Sequence, residues 1–279
     1  MDGRMRAAFE KMHGTGNDFV VLDERRRSLG LTPARAAALA DRHSGIGCDQ
    51  VISIESSPRA DAFMRIRNAD GSEAGACGNA TRCVASLLFR EDGRRQIAIE
   101  TAAGILPAEI LASGAVQVDM GRARLQWDEI PLARPLDTLH LPLAEDGVAD
   151  PAAASMGNPH LTFFVADPDL LPIERLGRYF EHHPLLPEGA NVGFAGILAP
   201  DRMRLRVWER GAGATLACGS GACAAVVNAH RRGLSGRAVE VVMDGGILSI
   251  VWRADEHVLM TGPVVQAFTG EVDLSLYPA

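Results

Sequence analysis

Two short stretches of this sequence carry a thiol in the same setting. Residues 76–80 read ACGNA and residues 217–221 read ACGSG, which puts Cys77 and Cys218 141 positions apart in a chain of 279. Each cysteine is followed by glycine, a small polar residue and a helically patterned run: TRCVASLLFR after the first, ACAAVVNAHRR after the second. A thiol at the first turn of a helix lies among N–H groups that have no intrahelical acceptor, at the positive end of the dipole. That placement lowers a cysteine pKa and favours thiolate. The same N–H groups suit a carboxylate or another anion.

Two activated thiols facing one small site suggest three chemistries. In stereoinversion of a carbon acid, one thiolate removes the Cα proton and a thiol on the opposite face returns one. Disulfide redox chemistry usually uses C-x-x-C, which is absent. Acyl transfer needs one cysteine with a histidine and leaves the second copy unexplained. A lone cysteine beside a tight turn is by default a small buried residue; the repeated A-C-G context argues against that here. Lys11 is the only lysine. Pyridoxal phosphate is held through a lysine Schiff base, so a racemase or epimerase of this composition is expected to use no cofactor.

The elements that must position the thiols are strands, turns and helices in a repeated order. Phe19–Leu22 forms a compact apolar run after a glycine turn and predicts a buried strand. Thr32-Pro33 opens a helix, ARAAALADRH, that ends before Gly45. GIGCDQVISIE reads as a turn into a strand, and Ala62, Met64 and Ile66 alternate with Phe63, Arg65 and Arg67 in the next. NADGS is a turn leading to the first thiol. Cys83 lies on the core face of the following helix. QIAIET and ILPAEILASGAVQVDMG predict a β-meander. LPIERLGRYFEHH is an amphipathic helix. ANVGFAGIL and DRMRLRVWERGAGATLACGSGACAA repeat strand, glycine turn, thiol and helix. VEVVMDGGILSIVW predicts two strands, and HVLMTGPVVQAFTGEV one last strand. The fold class is α+β, in two similar halves.

Composition narrows the function classes. Hydrophobic content of 47% and charged content of 23% are ordinary for a globular protein. A net charge of -7 gives nucleic-acid binding little support. No stretch has the roughly 18 uninterrupted apolar residues of a membrane span, and the first residues lack a signal-peptide core; a cytoplasmic protein is expected. Five cysteines, an odd number in a long chain, argue against a disulfide framework. Their spacings do not fit a zinc site, so no metal is expected.

KMHGTGNDFVV, GIGCDQ, RIRNADGSEAGACGNATRC, MGNPH, ERGAGATLACGSGACAA and MTGP follow one another from Phe9 to Pro263. In that order they resemble the successive motifs of the diaminopimelate epimerase family. The resemblance implies a cofactor-independent two-thiol enzyme interconverting LL- and meso-diaminopimelate in lysine and peptidoglycan-precursor synthesis. It also implies two pseudo-symmetric domains, each a curled mixed sheet around a central helix, with the site in the cleft between them. The expected domains are 1–123 plus 268–279, and 124–267. A homodimer is usual in that family.

Carried onto this chain, the resemblance makes Cys77 and Cys218 the acid–base pair, and His160 and Glu209 the groups beside the reacting amino group. Gly78-Asn79 and Gly219-Ser220 would hold the reacting carboxylate. Asn17, Gln50, Asn68, Asn158, Asn191, Glu209 and Arg210 match substrate contacts. The sequence departs from the family at Ala80, where glycine is usual, at Ala214, where glutamate is usual, and at Met243-Asp244-Gly245-Gly246, usually Leu-Pro-Gly-Gly. A same-fold racemase or epimerase of histidine, proline or hydroxyproline is the close alternative. A non-catalytic binding or redox-sensing protein is the alternative of another class.

Overall fold

The computed structural model describes residues 5–278. The chain divides into two compact units: one runs to Val118 and resumes at Gly262, the other is Asp119–Thr261.

The first unit begins with β1 (Arg6–Gly14) and β2 (Asn17–Asp23), then α1 (Pro33–Ala40), β3 (Gln50–Glu55), β4 (Ala62–Asn68), β5 (Glu73–Ala74), α2 (Gly78–Asp92), β6 (Gln96–Thr101), β7 (Gly104–Ile110) and β8 (Val116–Arg122). β1 pairs antiparallel to β2, β2 parallel to β3, β3 antiparallel to β4, β4 parallel to β6, and β6, β7 and β8 form an antiparallel meander. The loop between β1 and β2 is Thr15-Gly16, at φ 54° and 87°. Positive φ at both central residues makes the two-residue turn whose twist matches that of the strands.

The second unit holds a two-residue hairpin, β9 (Ala144–Glu145) and β10 (Val148–Ala149). It continues with β11 (Ala152–Ser155), β12 (Pro159–Phe164), α3 (Ile173–Glu181), β13 (Asn191–Ala199), β14 (Arg202–Glu209), β15 (Gly213–Thr215), α4 (Gly219–Arg231), β16 (Ala238–Met243), β17 (Gly246–Trp252) and β18 (His257–Gly262). Its pairings repeat those of the first unit one for one: β11 antiparallel to β12, β12 parallel to β13, β13 antiparallel to β14, β14 parallel to β16, then β16, β17 and β18 antiparallel. α3 falls where α1 does, and α4 where α2 does. The fold is therefore α+β with a duplicated topology. The chain ends in β19 (Val265–Asp273), antiparallel to β1 in the first unit.

The strands of each unit curl around one helix. α2 packs on β1 and β2 as well as on β6 and β7, so strands far apart in the sheet meet the same helix. Its Ala80, Cys83, Val84 and Leu88 are buried. α4 is apolar on nearly every side from Ala222 to Ala229 and touches β11 to β14 and β16 and β17. α3 adds a satellite core in which Phe163 stacks on Phe180 and Phe194, with centroids 4.3 and 5.6 Å apart. No helix among the described residues is long and apolar enough to cross a membrane.

Two expectations need correcting, and one strand was not foreseen. HVLMTGPVVQAFTGEV is two strands, because Pro263 lacks the N–H a ladder needs and the chain breaks beside it. β11 is not legible in the sequence: its Ala-Ala-Ala-Ser is buried on both faces and shows no alternation. α1 opens on Thr32 as expected, with the Thr32 hydroxyl accepting from Arg35 N, but stops at Ala40 rather than running to Gly45. Asp41 ends it by turning its carboxylate onto the N–H groups of His43 and Ser44.

Candidate active site

Both thiols sit at the N-cap of the long helix of their unit, Cys77 before α2 and Cys218 before α4. The cap carbonyls accept the first intrahelical bonds, from Thr81 N and Ala222 N, each at 2.9 Å. The amides of Gly78-Asn79 and Gly219-Ser220 lie in the first turns, where helix geometry supplies no acceptor.

Around Cys77 the neighbours are neutral amides. Cys77 Sγ is 3.8 Å from Asn17 Oδ1, to which Asn79 Nδ2 also donates at 3.2 Å. Asn17 Nδ2 donates to Asp49 at 2.9 Å. A carboxylate only accepts, so this bond fixes the amide with its carbonyl toward the thiol. Asp49 and Asp18 share Arg42, and Asp18 also takes Lys11 Nζ at 2.5 Å. Burial alone would raise the Asp18 pKa; Arg42 and Lys11 outweigh it and hold it at about 2. Gln50 Nε2 donates to Asn68 Oδ1 at 2.9 Å, and Asn68 Nδ2 to Ser72 at 3.0 Å. Gln50 Oε1 and Asn79 Oδ1 are buried acceptors with no hydrogen bond.

Cys218 has a carboxylate beside it. Cys218 Sγ donates to Glu209 Oε2 at 3.1 Å and lies 3.7 Å from Ser220 Oγ. Thr215 Oγ1 holds the other Glu209 oxygen at 2.5 Å. The helix-end expectation for this thiol is overturned. Gly221 N–H and the Ser220 hydroxyl do pull its pKa down, but burial and the Glu209 carboxylate push it well above 9. Removing a thiol from water and setting it against an anion outweighs the first-turn N–H groups. Of the other cysteines, burial pushes Cys48 up to about 11 and Cys83 up to about 12.

Asn158 links Ser220, at 3.4 Å, to His160, whose Nε2 lies 3.0 Å from Asn158 Oδ1. Asn191 bridges two segments, donating to Pro159 O and accepting from Arg210 N, each at 3.0 Å. The Arg210 guanidinium is exposed and donates to Glu188 O at 2.9 Å. In the repeated topology Asn158 stands where Asn17 does, Asn191 where Gln50 does and His160 where Phe19 does. Glu209 follows Trp208, the partner of Val192, and so matches Asn68, the partner of Gln50. Asn17 and Asn79 thus stand by Cys77, and Glu209, Ser220, Asn158 and His160 are linked to Cys218, while Gln50 pairs with Asn68 and Asn191 with Arg210.

Asp49 and Thr215 were not singled out from the sequence, although each lies inside a motif, GIGCDQ and ERGAGATLACGSGACAA. Thr215 is the more telling, since its counterpart in the first unit is Ala74, which cannot bind a carboxylate. Ala214, where glutamate is usual, is exposed and pairs with Trp208. Asp244, where proline is usual, forms an ion pair with Arg204.

Burial, and next the charge of Arg210, lowers the His160 pKa from 6.5 to about 3. The folded state thus holds a neutral ring, and unfolding releases it to be protonated. This contribution to stability is whole above pH 6.5 and is lost as pH falls below it, by up to about 1.4 kcal/mol per unit, until the folded protein also takes the proton. His160→Gln should flatten the urea midpoint between pH 6.5 and 5. A midpoint falling as steeply in the variant would show that other groups govern acid sensitivity.

The diaminopimelate epimerase family model matches residues 9–126 and 152–267. Diaminopimelate epimerase of Acidiphilium cryptum is 64% identical over 268 residues, spanning 96% of this chain and 97% of that protein. That of Rhodospirillum centenum is 56% identical over 272 residues, 97% of this chain and 94% of the relative. Among solved structures, a hydroxyproline epimerase from Agrobacterium vitis aligns with a TM-score of 0.70 at 16% identity, over 98% of this chain and 94% of that one. A Bacillus anthracis phenazine biosynthesis protein of the PhzF family aligns at 0.67 and 17%, over 96% and 99%. These two share the fold.

Proposed function

The chain belongs to the diaminopimelate epimerase family, and from that premise we propose how its residues invert a diaminopimelate centre. It is an isomerase of the epimerase type. Cys77 and Cys218 are the acid–base pair: one thiolate removes the Cα proton and a thiol supplies the replacement, interconverting the LL and meso forms. What carries this assignment is that the two cysteines hold the same N-cap position in two copies of one topology. Two proton-transfer groups of one kind are what a symmetrical inversion calls for.

The setting of Cys218 fixes its resting state. Cys218, held protonated by burial and Glu209, rests as the thiol. Glu209 is placed to receive that proton when Cys218 must act as base. Neutral His160 and Glu209 flank the reacting amino group, and the first-turn amides of Gly78-Asn79 and Gly219-Ser220 take the reacting carboxylate and the charge that builds on it. Asn17, Gln50, Asn68, Asn158 and Asn191 bind the rest of the substrate, and the Arg210 guanidinium takes the carboxylate of its non-reacting centre.

No pyridoxal phosphate takes part: Lys11, the only lysine, is held by Asp18, on the strand paired with its own, and by the carbonyl of Gly47. The protein acts in the cytoplasm on a small amino acid, in lysine and peptidoglycan-precursor synthesis, and not on nucleic acid. It forms a homodimer; the outward side chains of Val265 and Phe268 on β19 offer apolar surface for it.

Turnover of LL-diaminopimelate in heavy water, without pyridoxal phosphate, tests the two-base exchange. Early product should carry solvent deuterium at Cα while remaining substrate carries little. Equal early labelling of both pools would point to one shared base and sink the assignment.

A further inference from the structure

Glu181 belongs to no motif that carries the resemblance, yet its carboxylate is almost fully buried. It ends α3, one turn after Gly177, and residues four apart share a helix face. Trp208 lies on that face. A Cβ at Gly177 would come within 2.3 Å of Trp208 Cγ, so the indole packs directly on the helix backbone and only glycine fits beneath it. Trp208 Nε1 then donates to Glu181 Oε2 at 2.6 Å. Glu181 Oε1 accepts from Gly211 N at 2.8 Å.

Trp208 and Gly211 flank Glu209 and Arg210. One buried carboxylate therefore pins both ends of the segment that carries two site residues. The chain leaving α3 completes the hold. Glu188 O takes the Arg210 guanidinium, and a Cβ at Gly189 would stand 3.2 Å from Arg210 Cδ, so the arginine stem lies across that glycine. Two N–H donors converge on Glu181, and a carboxylate offers an acceptor to each. A glutamine would turn an NH₂ toward one of them.

We infer that Glu181 is a positioning residue: through Trp208 and Gly211 it sets the Glu209-Arg210 turn and so the aim of the Arg210 guanidinium at substrate. This rests on the proposal that Arg210 binds the carboxylate of the non-reacting centre.

The test is a double-mutant cycle of Glu181→Gln and Arg210→Ala, with kcat and KM measured on LL-diaminopimelate. Glu181→Gln should lower kcat/KM by about 10- to 100-fold, the scale of a charge-assisted hydrogen bond, mainly through KM. In the Arg210→Ala background the KM effect of the same change should vanish, because the group it aims is gone, leaving only the smaller kcat effect of a displaced Glu209. A full, additive loss in that background, which a merely structural role gives, overturns the inference. So does a Glu181→Gln enzyme with wild-type kcat/KM beside a crippled Arg210→Ala. An Arg210→Ala enzyme at full activity overturns the distal-carboxylate proposal and this inference with it. If Glu181→Gln fails to fold, Trp208→Phe keeps the ring on Gly177, removes the N–H and runs the same cycle. Non-additivity with Arg210→Ala then supports the inference and additivity overturns it.

Discussion

Cys218→Ala is expected to lower kcat for epimerisation by at least about 10²–10⁴-fold, and Cys77→Ala by a similar factor, the contribution of one positioned acid–base group. The argument for Cys218 is local. Its Sγ touches Glu209 Oε2 and sits over the first turn of α4, where Gly221 N–H also reaches it. The thiol proton is far more readily transferred than that of the Thr215 hydroxyl, which holds the other Glu209 oxygen. Alanine removes the proton carrier and keeps the backbone. At the cap of α4 alanine gives up only the weak contact of the Gly221 N–H with sulfur, so the fold should survive the change. At the cap of α2 the Cys77 side chain makes no cap bond. Each variant should therefore keep its melting temperature while inversion stops. Exchange of Cα hydrogen with solvent should persist for one stereoisomer only, the one the remaining thiol can reach. Near wild-type inversion by either variant would defeat the two-base assignment outright.

The duplication gives the two thiols equal positions and unequal surroundings. The first unit places amides at Asn17, Gln50 and Asn68. The second keeps amides at Asn158 and Asn191, but puts Glu209 where Asn68 would be and His160 where Phe19 would be. An amide can orient a substrate and cannot take a proton at neutral pH; a carboxylate can. Apart from the thiols themselves, the carboxylate and the imidazole of the set thus stand in the second unit, and the first surrounds Cys77 with amides.

This asymmetry also marks what the sequence could reveal. The thiol helices were legible because everything that makes them is local: an Ala-Cys-Gly turn followed by a helical run. So was the start of α1, where Thr32 precedes Pro33. The pairing of β1 with β19 was not, because Arg6 meets Asp273 across nearly the whole chain. Motif matching found the polar residues about both thiols, yet the direction of the Cys218 pKa escaped it. Helix-end placement is visible in sequence; burial and the Glu209 contact are tertiary. The socket for Trp208 was hidden for the same reason, since Gly177 and Glu181 lie on another element and nothing near Trp208 in the chain announces them.

Arg210→Ala should lower kcat/KM on diaminopimelate by roughly 30-fold or more, the loss expected when one partner of a buried, charged hydrogen bond worth about 2–5 kcal/mol is removed. Diaminopimelate carries a second amino-acid centre that does not react, and its carboxylate needs a cation. Lys11 is held by Asp18 and cannot serve. Arg210 is poised for it: the backbone N–H is tied to Asn191, the stem lies over Gly189, and the guanidinium is half engaged, through Nη1, by Glu188 O. Its charge is already felt at His160, where it adds to burial in keeping the imidazole neutral. The guanidinium is exposed in this structure, so its full worth appears only once substrate covers it. Arg210→Lys should restore part of the loss, because an ammonium cannot make the two parallel bonds of the planar fork. The loss should also depend on substrate. An amino acid without a distal carboxylate gains nothing from Arg210 and should be a poor substrate for the wild type and for Arg210→Ala alike. Full activity of Arg210→Ala on diaminopimelate would remove Arg210 from the site. Equal turnover by the wild type of amino acids lacking the second centre would move the substrate toward histidine, proline or hydroxyproline.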